Sequence, residues 1–327
     1  MSFLRSLLLF LAFVASLSAA TTGKSYLGAI VTDAESGKVI FEDNADEQSP
    51  PASMTKLMTF AVMHDKLASG KLTLQTPVTA NAADTKMGGT QVWLKEHETF
   101  SVEDMLYAMM IQSANDAAHA LARTASGSVE AFVAEMNAKA HALGMNHTTF
   151  RSPHGLPPAD RKKSDSDLTT PRDYAILSRY LVLETDVTKY TSVRERDFGA
   201  NRPKGPVKMV NHDHLLSRVA GMDGLKTGFT NGAGYCLAGT AERNGRRVIA
   251  VVMGSPTHQA RDAKVAELIE RGFASLPAMA SVKTDTRPAT PAAAATDSIP
   301  TVSTDKKPAP TAPSAIEPLT FHVNPSH

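Results

Sequence analysis

The sequence predicts an α+β fold in which one sheet is assembled from both ends of the chain and helices pack against it. Three observations predict it. Strand-type runs cluster near the two ends, at 26–42 and 221–253, while residues 53–182 carry apolar side chains at the helical spacings of three and four. Asn244-Gly245 separates two apolar runs, a strong hairpin signal.

Taken in order, Tyr26 to Thr32 reads as a strand, Asp33 to Gly37 as a turn and Lys38 to Glu42 as the returning strand. Pro50-Pro51 suits the start of a helix, and Met54, Leu57, Met58, Ala61, Val62 and Leu67 mark its buried face as far as Ser69-Gly70. A polar segment with Gly88-Gly89 and Trp93 follows. Ser101-Val102-Glu103-Asp104 then starts a second helix whose inner face is Met105, Leu106, Met109 and Met110. Trp93 and this methionine stripe are expected to be core. Ser113-Ala114-Asn115 breaks the pattern before an alanine-rich helix resumes, and helices at Val129–Leu143 and Thr170–Val182 flank a loop at Ser152–Pro158. Strands are expected at Gly224–Phe229, Gly234–Thr240 and Arg247–Met253, with a closing helix over Gln259–Phe273.

The chain has 327 residues, a net charge of +1 and one cysteine, Cys236. Lysines and arginines are dispersed, so no nucleic-acid partner is expected, and one cysteine excludes an internal disulfide. Residues 1–20 have the layout of a secretory signal peptide: Arg5, an apolar run from Leu7 to Val14, then small residues to Ala20. Nine of the 19 prolines lie between Pro277 and Pro325, and residues 277–327 read as a disordered Ala/Pro/Thr-rich tail with no amphipathic period. Residues 21–276 are left as the folded domain, and no firm membrane anchor is expected.

Ser53 and Lys56 stand one helical turn apart, where a desolvated amine can take the proton of a serine nucleophile. The same spacing recurs at Ser303-Thr304-Asp305-Lys306, so the pair alone says little. Ser113-Ala114-Asn115 and Lys226-Thr227-Gly228 complete it: Ser-x-x-Lys, Ser-x-Asn and Lys-Thr-Gly in this order form the set carried by penicillin-binding proteins and serine β-lactamases. Ala52 to Thr59, Ser113 to Ala117, Ser152 to Leu156 and Asp223 to Tyr235 together resemble the low-molecular-mass penicillin-binding proteins that are D-alanyl-D-alanine carboxypeptidases, over roughly residues 25 to 274.

That resemblance implies an antiparallel sheet flanked by helices with a mostly helical subdomain, a β-lactamase/D,D-peptidase-like fold with the cleft between them. It also implies the roles: Ser53 nucleophile, Lys56 base, Ser113 proton relay, Asn115 holding Lys56 and the substrate carbonyl, and Lys226 and Thr227 meeting the terminal carboxylate. Gly228 lets an extended peptide lie beside the strand. The N–H groups of Ser53 and Phe229 serve a developing oxyanion. Arg247, with Arg246 beside it, corresponds to an arginine that helps bind the carboxylate.

The implied partners are peptidoglycan stem peptides and, as covalent inhibitors, β-lactam antibiotics, outside the inner membrane in the periplasm or at the wall. No metal or other cofactor is expected; His212-Asp213-His214 offers two imidazoles on one strand face without a third ligand. A D,D-endopeptidase that cuts cross-links is the alternative. A β-lactamase needs a segment such as Glu-x-x-Leu-Asn between Ser113 and Lys226, and none is present. A non-catalytic wall-binding protein is the other class, yet every catalytic position is filled.

Overall fold

The computed structural model describes residues 25–158 and 165–276; the expected signal peptide and tail lie outside them. The chain opens on an antiparallel hairpin, β1 (Gly28–Asp33) and β2 (Val39–Asp43). A 3-10 turn over Ala52–Thr55 leads into α1 (Lys56–Ala68). The sequence suggests a helix from Ser53 onward, but the first turn is tighter. No side chain caps α1, because the Thr55 hydroxyl donates to Asp167 instead.

A short ribbon of β3 (Pro77–Thr79) and β4 (Thr99–Ser101) runs into α2 (Val102–Ile111), where Ser101 accepts from the Asp104 N–H as the predicted cap. Three further helices are α3 (Asn115–Ser126), α4 (Val129–Ala142) and α5 (Pro171–Glu184), followed by the short α6 (Val187–Thr191). A second ribbon pairs β5 (Glu195–Phe198) with β6 (Val207–Val210). The chain closes with β7 (Met222–Thr230), β8 (Gly234–Arg243), β9 (Arg246–Ser255) and α7 (His258–Ser275). The turn between β8 and β9 is Asn244-Gly245, both at positive φ (53° and 70°), as a two-residue hairpin turn of this kind requires.

The main sheet has the order β2-β1-β9-β8-β7, all antiparallel. Both ends of the chain meet where β1 pairs β9, with Ala29 opposite Val252 and Val31 opposite Ala250. A Cβ on Gly28 would strike Pro171 of α5, whereas Val31 approaches Gly272 of α7. Residues an odd number apart on a strand point to opposite faces, so α5 and α7 cover the two sides. Helices α1 to α4 pack on one another around Leu57, Leu106, Leu121 and Phe132, forming the helical part.

Two expectations change. Met105, Met109 and Met110 are core, but Trp93 is 63% exposed at a left-handed φ of 58°. Its neighbours decide this: the Val92 and Leu94 N–H groups donate to the two oxygens of buried Asp116, which turns both apolar side chains inward and Trp93 out. His212-Asp213-His214 is not on a strand either. Asp213 accepts from the Leu215 N–H and starts a 3-10 turn, His214–Ser217.

The Ser53 turn is held by close backbone approach on two sides. A Cβ on Gly228 of β7 would lie 2.5 Å from the Pro51 carbonyl, and one on Gly155 would lie 1.9 Å from the Ala52 carbonyl. Gly155 also has φ +82°; Gly70 has a similar φ of +71° but open space around it. Gly70→Ala is therefore expected to cost only the backbone strain, about 1 kcal/mol. Gly155→Ala adds an overlap that rigid backbone cannot relieve and is expected to cost about 3 kcal/mol or more. Urea unfolding of both variants checks this, and equal losses would contradict the close approach.

Candidate active site

Ser53 sits in the 3-10 turn and Lys56 is the first residue of α1. The Lys56 Nζ stands 3.0 Å from Ser53 Oγ and donates to Asn115 Oδ1 at 2.7 Å and to the His154 carbonyl at 2.8 Å. None of these partners is a carboxylate, and the lysine is 0% exposed. Burial first, and then the charge on Lys226, hold its pKa well below the usual lysine range, against the upward pull of Asp167 and Asp116. The backbone is strained at two points of this site, Ala52 at φ 51° and Ser113 at φ 61°, a frequent mark of functional positions.

Each partner is itself fixed. The Asn115 Nδ2 donates to the Gly88 carbonyl at 2.8 Å and its backbone N–H to Thr90, so the amide oxygen is the end presented to Lys56. Ser113 is buried two residues earlier, in the break between α2 and α3. The loop carrying His154 is tied down by Asp167, which accepts from the Arg151 and Ser152 N–H groups and the Ser152 hydroxyl, and by Thr59, whose hydroxyl donates to the Pro153 carbonyl. The Asp167 carboxylate also accepts from Thr55, joining this loop to the Ser53 turn; burial raises its pKa.

The opposite wall is β7, the last strand in the sheet order, so one row of its backbone groups has no further strand beside it. Lys226 is 3% exposed, and burial lowers its pKa to about 7, with Asp213 acting upward and Arg261 downward. Burial conversely raises Asp213 to about 6. His212 is lowered to about 4 by burial and then by the charges of Lys226 and Lys56, so both amines act on this one imidazole. Thr227 is 6% exposed. Phe229 is half exposed and stacks on Tyr235 with centroids 4.2 Å apart.

The structure thus brings Ser53, Lys56 and Asn115 into direct contact, sets Lys226 within electrostatic reach of Lys56, and packs Gly228 on the Ser53 turn. The missing side chain of Gly228 makes room for Pro51 and Ala52 of the Ser53 turn. Arg247, expected to help bind the carboxylate of a substrate, is engaged by carboxylates of the sheet itself. Its guanidinium forks onto Asp223 at 2.7 Å twice and onto Glu242 at 2.6 Å, closing β7, β8 and β9 together at their far end.

The arginine whose charge does reach Lys226 is Arg261, 4% exposed on α7. Sequence reading passed over it, although its position carries a signal: 261, 265, 268 and 272 lie on one buried stripe of that helix. His154 and Asp167 act here through a backbone carbonyl and a long-range hydroxyl contact, which no spacing announces. Among the described residues, one group of side chains has the composition of a metal site: His214, His258 and Asp262, with ligand atoms all within 4.8 Å of one another.

Similarity to known proteins agrees with this geometry. The chain is 36% identical over 245 residues to the D-alanyl-D-alanine carboxypeptidase DacF of Bacillus subtilis, covering 75% of this chain and 61% of that one. It is 34% identical over 261 residues to a D-alanyl-D-alanine endopeptidase of Pseudomonas aeruginosa, covering 77% and 80%. The chain spans about three fifths of the length of the carboxypeptidase relatives it matches. Penicillin-binding protein D2 of Listeria monocytogenes, solved in a cefotaxime-bound form, superposes with a TM-score of 0.67 at 36% identity, covering 76% of this chain and 97% of that one. Among the described residues no helix is long and apolar enough to cross a membrane. A family model for D-alanyl-D-alanine carboxypeptidases matches residues 18–257, and the chain belongs to that family.

Proposed function

We propose that the chain is a serine-type D-Ala-D-Ala carboxypeptidase that trims the terminal D-alanine from peptidoglycan stem pentapeptides and is acylated by penicillin at Ser53. The observation that carries this reading is the setting of Lys56. A neutral amine has two N–H bonds and one lone pair. Two fixed carbonyl oxygens, on Asn115 and His154, take the N–H bonds, and the lone pair is left for the Ser53 hydroxyl 3.0 Å away.

Ser53 Oγ attacks the carbonyl carbon of the D-Ala-D-Ala peptide bond while its proton passes to Lys56 Nζ. The oxyanion accepts from the N–H groups of Ser53 and Phe229, each worth roughly 3 to 4 kcal/mol in such sites. Proton return to the leaving nitrogen through Ser113 expels D-alanine, and water then cleaves the Ser53 ester. Lys226, with Arg261 behind it and the Thr227 hydroxyl beside it, gathers positive character where a terminal carboxylate would lie. Arg247, engaged by Asp223 and Glu242, has no part in this. The reaction uses no cofactor, and its place is outside the inner membrane, in the periplasm or at the wall, in keeping with the leader read in residues 1–20. A second reading, a D,D-endopeptidase with the same chemistry, is favoured by the well-covered Pseudomonas aeruginosa relative.

Ser53→Ala is expected to lower D-alanine release from a pentapeptide by at least about ten-thousandfold and to abolish labelling by a fluorescent penicillin. Unchanged release would end the enzyme reading. Mass spectrometry of wall fragments separates the two activities: loss of one terminal alanine marks the carboxypeptidase, and conversion of dimers to monomers marks the endopeptidase.

The rate of Ser53 acylation should rise with pH as Lys56 loses its proton, and fall again as Lys226, with a pKa of about 7, loses its charge. Lys226→Met removes a neighbouring charge that keeps the Lys56 pKa low. The acid limb of the profile is therefore expected to move to higher pH, besides an overall loss of rate. An unmoved limb in the variant would show that the two amines are not coupled.

A further inference from the structure

Outside the cleft, His214, His258 and Asp262 converge from two elements distant in sequence. His258 is the first residue of α7 and Asp262 follows four residues later, so both lie on one helix face. His214 comes from the 3-10 turn that Asp213 caps. Their ligand atoms lie within 4.8 Å of one another, and the two imidazole centroids are 5.7 Å apart. Four ligands at about 2.1 Å from a zinc ion lie closer together than this, and the gap is within the reach of side-chain rotation, since His214 is about half exposed.

A second observation points into the same space. The Asp262 side chain is 6% exposed, and its Oδ1 accepts twice from Arg261, at 2.9 and 2.6 Å. Its other oxygen, Oδ2, is buried without a hydrogen-bond partner among the described residues, and His214 Nδ1 stands 3.5 Å from it. A buried carboxylate oxygen left unbonded is costly and calls for a partner. With the two imidazoles within 4.8 Å it makes a two-histidine, one-carboxylate set of the kind that takes a divalent transition metal. Arg261 is then the outer partner that orients the carboxylate.

We propose that His214, His258 and Asp262 form a binding site for a divalent cation of the zinc class, with one coordination position left to solvent. The ion has no place in the acyl-transfer chemistry. It clamps the first turn of α7 to the 3-10 turn His214–Ser217, which packs against β7, the strand that carries Lys226. It also touches the edge of the cleft: His258 packs edge-on against Tyr235 at 6.0 Å, and Tyr235 is the ring on which Phe229 stacks.

The test is titration of the untagged full chain with Co2+, read by the visible bands of the four-coordinate ion, and competition by Zn2+. One equivalent is expected to bind and to be displaced by one equivalent of zinc, with a rise in the thermal midpoint. His258→Ala and His214→Ala are each expected to weaken binding by at least roughly tenfold, since loss of even an outer-shell partner costs that much, while labelling of Ser53 by penicillin persists and reports an intact fold. His214 is on an exposed turn, so its variant remains informative should His258→Ala loosen the helix start. Absence of stoichiometric binding by the wild type, or equal binding by both variants, would overturn the proposal.

Discussion

The site depends on one constraint: a lysine amine is buried without a carboxylate in contact. An ammonium in that position has lost water and gained only neutral dipoles, so the uncharged form is favoured, and favoured further by a second buried cation nearby. A carboxylate in place of the Asn115 amide would give an ion pair and hold the amine charged. The neutrality of the surroundings therefore matters as much as the identity of the lysine.

Holding such an arrangement requires the chain to converge from four distant places, at residues 53–56, 115, 154 and 226. Convergence is achieved by backbone contact more than by side chains. Gly155 and Gly228 let two separate segments lie directly on the Ser53 turn, and the buried Asp167 stitches the His154 loop to Thr55. Left-handed φ values at Ala52 and Ser113 are the residual strain of this packing. Sheet and helices on either side fix the segments, so that the strain is borne by the fold as a whole.

Much of this was legible in the sequence because it is periodic or local. The helices reveal themselves by apolar spacing, the β8–β9 hairpin by Asn244-Gly245, and Ser53, Lys56, Asn115 and Lys226 by three motifs in a fixed order. What was not legible is set by tertiary contact. The ribbons of β3–β4 and β5–β6 are too short to show a period. Trp93 reads as core from its own large apolar side chain, and the grip of Asp116 on its two neighbours turns it outward. Arg247 resembled a substrate arginine because of its place after the hairpin turn, yet Asp223, 24 residues away, occupies its fork. Arg261 and Asp262 interrupt an apolar stripe, a signal visible in the sequence whose meaning depends on the strand opposite.

The two lysines also set the balance between stability and chemistry. Lys226 has a folded pKa of about 7 against 10.5 for an ordinary lysine. Between those values the unfolded chain binds the extra proton and the folded chain does not, so this group's contribution to stability improves as pH rises through that window. Below about 7 the lysine is charged in both states, and the folded protein carries the full cost of burying it, on the order of several kcal/mol. Lys56 acts in the same direction. Substitution of either by an apolar residue of similar length would relieve the fold of that cost, so stability alone does not account for both lysines at the meeting point of sheet and helices. In the proposed reaction the pair's contribution is chemical: the charge on Lys226 that would meet a terminal carboxylate is also the charge that holds the Lys56 pKa down.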